Sequence, residues 1–111
     1  MSKKRIQQIE RRIGRIKETL KEIGPMRPGS LSRQYKIPKK KVGPYWQISY
    51  TRNMRSRTDY IRQECVVDIR KEIATYKRFK RLVDQWVDLS IERSKLDMQI
   101  AKGKAKKKAS G

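Results

Sequence analysis

The sequence of 111 residues has no histidine and a single cysteine, Cys65. Without histidine, one chain cannot build a Ser-His-Asp or Cys-His nucleophile arrangement, and the common zinc sites lack their ligands. A lone cysteine also excludes an internal disulfide framework. We therefore predict a protein that is not an enzyme and that holds no metal and no cofactor. Cys65, beside Val66, is expected to be a small buried apolar side chain.

Apolar residues are also scarce. The chain is 35% hydrophobic, 7% aromatic and 38% charged, and small domains already bury a low fraction of their surface. We therefore expect one small domain, in which long helices, an oligomer or a bound partner supply the missing burial. No apolar run suits a signal peptide or a membrane span, so we expect an intracellular protein, of the cytoplasm or nucleoid, with no membrane partner.

Acidic residues number 11 against 31 lysines and arginines, which gives a net charge of +20. Net charge indicates partners rather than fold, and nucleic acid is the strongest general candidate because neutralising its phosphates releases condensed counterions. The excess of basic residues is distributed unevenly along the chain. Residues 24–61 carry nine basic side chains and one acidic, whereas residues 62–101 carry nine and seven. The middle of the chain is therefore the predicted contact surface.

Residues 1–23 have the pattern of one amphipathic helix. Apolar residues recur at alternating spacings of three and four, which is a heptad pattern. Gly24 followed by Pro25 is a strong stop signal, because proline does not continue a helix. An isolated helix of this length is marginal in water, so it needs a partner helix.

The middle of the chain is predicted to be irregular and then extended. Residues 24–43 lack periodicity and contain several glycines and prolines, which indicates a basic loop. Residues 44–61 predict a β-hairpin: strand formers fill residues 45–50, Arg52-Asn53-Met54 fits a turn, and the chain then returns. A two-stranded hairpin is marginal alone, so we expect it to pack on a helix.

Residues 62–101 predict one long second helix, since no proline or glycine interrupts them. Residues 102–111 form a lysine-rich low-complexity tail that is predicted to be disordered. The predicted fold is mainly α with a small β-hairpin: two long helices flank a basic loop and hairpin and pack like a coiled coil. This makes residues 1–101 a single helix-hairpin-helix domain.

The two apolar helix stripes are the predicted partner-helix interface. Its residues are Ile6, Ile9, Ile13, Ile16, Leu20, Ile23, Leu82, Trp86, Leu89 and Leu96. Two uses are open: antiparallel packing of the helices within one chain, or pairing with a second copy or a larger protein. We predict both, with a homodimer or a subunit of a larger complex as the outcome.

The predicted nucleic-acid contacts are basic side chains of the loop, the hairpin and the tail: Arg27, Arg33, Lys36, Lys39, Lys40, Lys41, Arg52, Arg55, Arg57, Lys104, Lys106, Lys107 and Lys108. Lysine and arginine neutralise phosphates, and the arginine fork also reads base edges. Tyr35, Tyr45 and Trp46 are candidates for stacking on bases. Packing of the hairpin onto the helix is the alternative role, and the default one for Trp46.

Three stretches resemble an uncharacterised family of short basic prokaryotic proteins. They are Gly24-Pro25-Met26-Arg27-Pro28-Gly29-Ser30-Leu31-Ser32, Gly43-Pro44-Tyr45-Trp46 and Tyr76-Lys77-Arg78-Phe79, and the resemblance spans about residues 5–96. It implies a helix, a hairpin and a second helix. Many members carry a cysteine cluster between the two Gly-Pro motifs and are encoded near mobile elements. Residues 35–42 have no cysteine here, so basic side chains stand where a zinc knuckle would lie.

The predicted function is non-enzymatic binding of nucleic acid. Double-stranded DNA is favoured over RNA, with the protein accessory to a mobile-element or phage-type nucleoprotein complex. One alternative is an RNA-binding subunit of a ribonucleoprotein, for which basic loops and a lysine tail are equally natural. The other is a helical adaptor that recruits a larger enzyme and uses its charge for solubility.

Overall fold

The computed structural model describes the backbone of residues 2–110, and the side chains of these residues except Ser2, Val42 and residues 105–110. The elements are α1 (Ser2–Lys21), β1 (Ser30–Ile37), β2 (Val42–Arg52), β3 (Arg55–Ile61) and α2 (Val66–Ser110), with 3₁₀ turns at Pro38–Lys40 and Gln63–Cys65. The chain divides into two compact units. Met1–Ile23 and Phe79–Gly111 form the helical unit, and Gly24–Arg78 form the sheet unit. The single domain over residues 1–101 stays a prediction.

In the helical unit, α1 packs against α2. Arg5 contacts Glu92 and Lys17 contacts Trp86, so the two helices run antiparallel. The apolar stripes meet in one cluster, in which Ile9, Ile16 and Leu89 are buried and Ile13, Leu20, Leu82, Trp86 and Leu96 are partly buried. The predicted stripes thus pack within the chain, and Ile6 and Ile23 are half-buried outside this cluster.

Ion pairs flank the apolar cluster of the helical unit. Arg5 Nη2 donates to Glu92 Oε1 at 2.8 Å, and Arg93 is ion-paired with Glu10. The hydrogen bond from Arg5 lowers the pKa of Glu92, with a smaller opposing effect of burial. These contacts set the antiparallel register of α1 on α2.

The sheet unit is a three-stranded antiparallel sheet with the order β1-β2-β3. One face packs on the first turns of α2: Ile48 and Ile61 form a buried core with Val66 and Ile73. The other face is open and rich in hydroxyl groups, with Ser49 Oγ 3.4 Å from Thr58 Oγ1. The mainly helical class is confirmed, and the two-stranded hairpin is corrected to a three-stranded sheet.

Strand β1 is the main correction, because residues 24–43 were expected to be a loop. Ser30–Ile37 pairs with β2, and Leu31 lies opposite Ile48 and packs against the sheet core. Residues of β1 have weak strand propensity, and Arg33 interrupts their apolar alternation. The long edge of β2 therefore orders this segment, by pairing that local sequence does not reveal.

Two further expectations are wrong. The tail over residues 102–111 was expected to be disordered, yet α2 continues to Ser110; lysine and alanine favour helix, and Gly103 costs only about 1 kcal/mol. Cys65 was expected to be buried, yet it is exposed, because it lies in the 3₁₀ turn ahead of α2. Within the described residues, no helix has the length and apolar character needed to cross a membrane.

Candidate nucleic-acid interface

Arg27 belongs to the fold of the sheet unit. Its guanidinium is ion-paired with Asp59 of β3 and lies 5.4 Å from the centre of the Tyr50 ring. Its backbone N–H donates to the carbonyl of Glu72 in α2 at 3.1 Å. Arg27 therefore has a structural role, since its half-buried guanidinium contacts a carboxylate and a ring. The phosphate contact at Arg27 stays a prediction.

Gly29, two residues later, explains the glycine of the Arg-Pro-Gly motif (residues 27–29). Its φ is +139°, and a Cβ atom added there would lie 2.6 Å from Cγ1 of Ile48, which is fully buried. Only glycine combines this backbone conformation with so close an approach. The motif thus brings the chain onto the sheet ahead of β1.

The hairpin end (residues 50–57) gathers exposed arginines on one face. Arg52 of β2 lies directly opposite Arg55 of β3, and Arg57 lies opposite Tyr50. The three arginines are exposed, and none has an ion-pair partner among the described residues. Like charges directly opposite each other destabilise an antiparallel pair by about 0.2–1 kcal/mol. A shallow hollow of about 540 Å³ lies beside them.

The turn that closes this hairpin has two residues, Asn53 and Met54, with φ of +53° and +65°. Positive φ at both positions is typical of a type I′ turn, which matches the twist of the strands. Asparagine tolerates this conformation, but methionine in place of the usual glycine costs roughly 1–2 kcal/mol. The Met54 side chain is fully exposed.

The lysines of the β1–β2 connection lie at the other end of β2. Lys39 and Lys40 are in the 3₁₀ turn, and Lys41 follows with φ of +50°. Ten residue steps of β2 separate this turn from the hairpin end, a span of roughly 33 Å at about 3.3 Å per residue. The predicted loop and hairpin contacts are therefore two separate basic surfaces and do not converge.

The three aromatic candidates have different surroundings. Trp46 packs against the sheet core, and its Nε1 donates to Gln63 Oε1 at 2.9 Å. The core-packing role of Trp46 is therefore what the structure shows. Tyr35 lies under the guanidinium of Arg33 at 5.7 Å, and Tyr45 is half-buried on the open face of the sheet.

Two basic residues of α2 escaped the sequence-based prediction. Arg70 lies over the Trp46 ring at 5.3 Å, and Arg33 is the cross-strand neighbour of Trp46 on the same face. Arg70 and Lys77 also line a groove beside Leu31. Their spacing of seven residues places both on one helix face, a signal that the near-neutral charge of residues 62–101 obscured.

Some of the other predicted nucleic-acid contacts belong to residues whose side chains the structure does not describe. Lys36 and Lys104 are exposed, whereas the side chains of Lys106, Lys107 and Lys108 lie outside the part that is described. Within the described part of the chain, no three cysteine, aspartate or glutamate side chains gather as a metal site would require.

Comparison with protein families gives one match. A domain of unknown function, DUF6788, matches residues 6–71. The chain belongs to this family. No curated protein and no solved structure matches it. The predicted resemblance to an uncharacterised family is consistent with this match, while the prokaryotic and mobile-element context stays a prediction.

The DUF6788 match takes in most of α1, the whole sheet and the first turn of α2. It contains the Arg-Pro-Gly motif, the Asp59 partner of Arg27 and the entire hairpin end. It ends before Leu82, Trp86 and the rest of the α2 stripe. The family match therefore covers the three strands and the Arg27–Asp59 pair, but it ends before Glu72 and Ile73 of the sheet unit and before the α2 side of the helical unit.

Proposed function

We propose that this DUF6788 protein binds double-stranded DNA through the hairpin end. The observation that carries the proposal is the pairing of Arg52 directly opposite Arg55, with Arg57 two residues further along the same face. This arrangement weakens the strand pairing, and no described carboxylate offsets it. A polyanion would relieve the repulsion and gain charge-assisted hydrogen bonds to three guanidinium groups.

The shape of the hairpin favours a duplex groove. Two antiparallel strands form a ribbon narrow enough to enter a groove of B-DNA, where arginine contacts phosphates and base edges. The basic turn at residues 39–41 lies roughly 33 Å away along β2, close to the length of one turn of duplex. It would contact phosphates of the same molecule at a second place. We propose an intracellular accessory role in a mobile-element or phage-type nucleoprotein complex, without enzymatic activity.

One observation favours the RNA alternative. The open face of the sheet carries Tyr60, which is 68% exposed, and the half-buried Tyr45 on the neighbouring strand, with Lys36 on β1. Exposed aromatic side chains on a sheet are platforms for unstacked bases of single-stranded RNA. Competition between a DNA duplex and a structured RNA of equal length at matched salt separates the two. Preference for the RNA, abolished in Tyr60→Ala, would favour the ribonucleoprotein subunit.

The helical unit supports a proposal of self-association. Val87, Ile91 and Met98 are 50%, 49% and 63% exposed. The helical spacing places them on one face of α2, opposite the cluster that α1 covers. A second copy packed coiled-coil-like on this face would remove them from water and double the basic surfaces. A larger protein that uses the same face would make the chain the adaptor described above.

Fluorescence anisotropy with a short mixed-sequence duplex tests the DNA proposal. We expect Arg55→Ala/Arg57→Ala to weaken binding and to reduce the slope of log K against log salt by about 0.9 for each phosphate that is no longer neutralised. The matched control is Arg11→Ala/Arg15→Ala, which removes the same charge from exposed positions of α1. Equal weakening in the two variants would show that net charge alone drives binding. Unchanged binding in the hairpin variant would refute the proposed site.

A further inference from the structure

The side chain at the tip of the hairpin is unexpected. Met54 is 100% exposed and occupies the second position of the two-residue turn, with φ of +65°. Turn geometry favours glycine there, and solubility favours a polar residue. Neither folding nor solubility therefore accounts for a long apolar side chain at this position.

The surroundings of Met54 indicate an anionic partner. Arg55 follows it directly, Arg52 lies opposite Arg55, and the hairpin end contains no acidic residue. The tip thus presents one slender, fully exposed apolar side chain in a turn that Arg52 and Arg55 flank. A lipid surface is anchored by several apolar groups, whereas a single unbranched side chain fits the space between two stacked base pairs.

We propose that Met54 inserts as a wedge between adjacent base pairs from the minor groove, so that the hairpin kinks the duplex. Arg52 and Arg55 would then contact the phosphates on the two sides of the opened step. Apolar wedges of this kind unstack a base step and bend DNA by about 20–90° toward the major groove. The inference rests on the proposed DNA binding and specifies how the hairpin contacts the duplex.

Unstacking costs less where the duplex is already weakened. We therefore expect the protein to bind a duplex with a central mismatch roughly tenfold more tightly than the matched duplex. Among matched duplexes, flexible TA and CA/TG steps should be preferred. Binding that depends only on phosphates would show neither preference.

The test uses the full chain and a duplex labelled at its ends with a donor and an acceptor dye. At saturating protein, we expect wild type to raise energy transfer as the ends approach. Met54→Gly and Met54→Asn remove the wedge, and both residues accept positive φ. We expect both to lose the rise in energy transfer and the preference for the mismatch. Val67→Ala, which removes another exposed apolar side chain of the sheet unit, should behave as wild type.

The outcomes separate this inference from the proposed function. Anisotropy on the same duplex measures binding independently of bending, so absence of wild-type binding would refute the proposed function itself. Binding with an unchanged rise in energy transfer in both Met54 variants would refute the wedge alone. Binding of wild type to vesicles of anionic lipid, abolished in Met54→Gly and without bending of DNA, would also overturn the wedge. Higher thermal stability of Met54→Gly, together with loss of bending, is the expected combination.

Discussion

The guanidinium of Arg27 is ion-paired with the carboxylate of Asp59, 32 residues later in the chain. The pair joins the segment ahead of β1 to β3, the strand at the far edge of the sheet. Because Tyr50 of β2 lies against the same guanidinium, Arg27 ties the segment ahead of β1 to both β2 and β3. Arg27, which the charge pattern assigned to nucleic acid, thus also stabilises the fold of the sheet unit.

Arg27→Ala is expected to destabilise the protein by about 1–2 kcal/mol, since it removes a charge-assisted hydrogen bond and a ring contact from a half-buried site. Urea unfolding measures the decrease in unfolding free energy. Arg33→Ala, at an exposed position of β1, should cost less than about 0.5 kcal/mol. Equal stability of the two variants would contradict the structural role of Arg27.

Gly29→Ala should destabilise the sheet unit by at least about 2 kcal/mol, because the new Cβ would meet Ile48 and because its φ is unfavourable for alanine. Gly14→Ala is the matched control. Gly14 lies within α1 with open space around it, so alanine should raise stability by about 1 kcal/mol. Thermal unfolding of both variants checks the opposite signs, and a stabilised Gly29→Ala would show that β1 does not approach β2 as described.

The Arg5–Glu92 pair predicts a dependence of stability on pH. The hydrogen bond from Arg5 lowers the pKa of Glu92 in the folded state. As the pH falls below the ordinary glutamate pKa, the unfolded chain binds a proton before the folded chain does, so stability falls until the lower folded pKa is passed. At neutral pH the contribution is fully present.

Glu92→Gln should remove this part of the pH dependence. We expect the difference in unfolding free energy between wild type and variant to be largest at neutral pH and to shrink in acid. Urea unfolding at a series of pH values measures it, with Asp84→Asn as a control at an exposed position. A difference that stays constant with pH would show that Arg5 and Glu92 do not interact in solution.

Self-association predicts a mass near twice 13.2 kDa by light scattering. Val87→Ser/Ile91→Ser should shift the protein toward the monomer, because it makes the exposed face of α2 polar. Val67→Ser, at an exposed apolar position of the sheet unit, should leave the mass unchanged. A monomeric wild type at tens of micromolar would remove the dimer from consideration.

The periodicity of apolar residues identified the helix and strands whose structure depends on residues close to one another in sequence. The spacing of three and four found α1, and the run after Gly43 found both strands of the hairpin, whose turn at residues 53–54 is local chemistry. β1 was missed because its order comes from pairing with β2, and the helical tail because lysine repeats were interpreted by charge rather than by helix propensity.

For the candidate site as well, patterns local in sequence were predicted and contacts between distant residues were not. Strand alternation predicted that Arg55 and Arg57 share one face. Arg52 was expected in the turn, whereas it lies in β2 opposite Arg55. The ion pair of Arg27 was not predicted, since its partner, Asp59, is distant in sequence. Arg70 was missed because the Trp46 ring that it covers belongs to another element.

The arrangement around Gly29 has a consequence for transferring function between relatives. The Arg-Pro-Gly motif brings the chain into contact with Ile48 and Asp59. A protein that shares the motif is therefore expected to share this backbone conformation, whereas the motif does not specify a ligand. Residues 52–57 are set by a two-residue turn at the surface and can change without disturbing that backbone. Two homologues alike in the motif and different at the tip should therefore be compared by ligand experiments of their own.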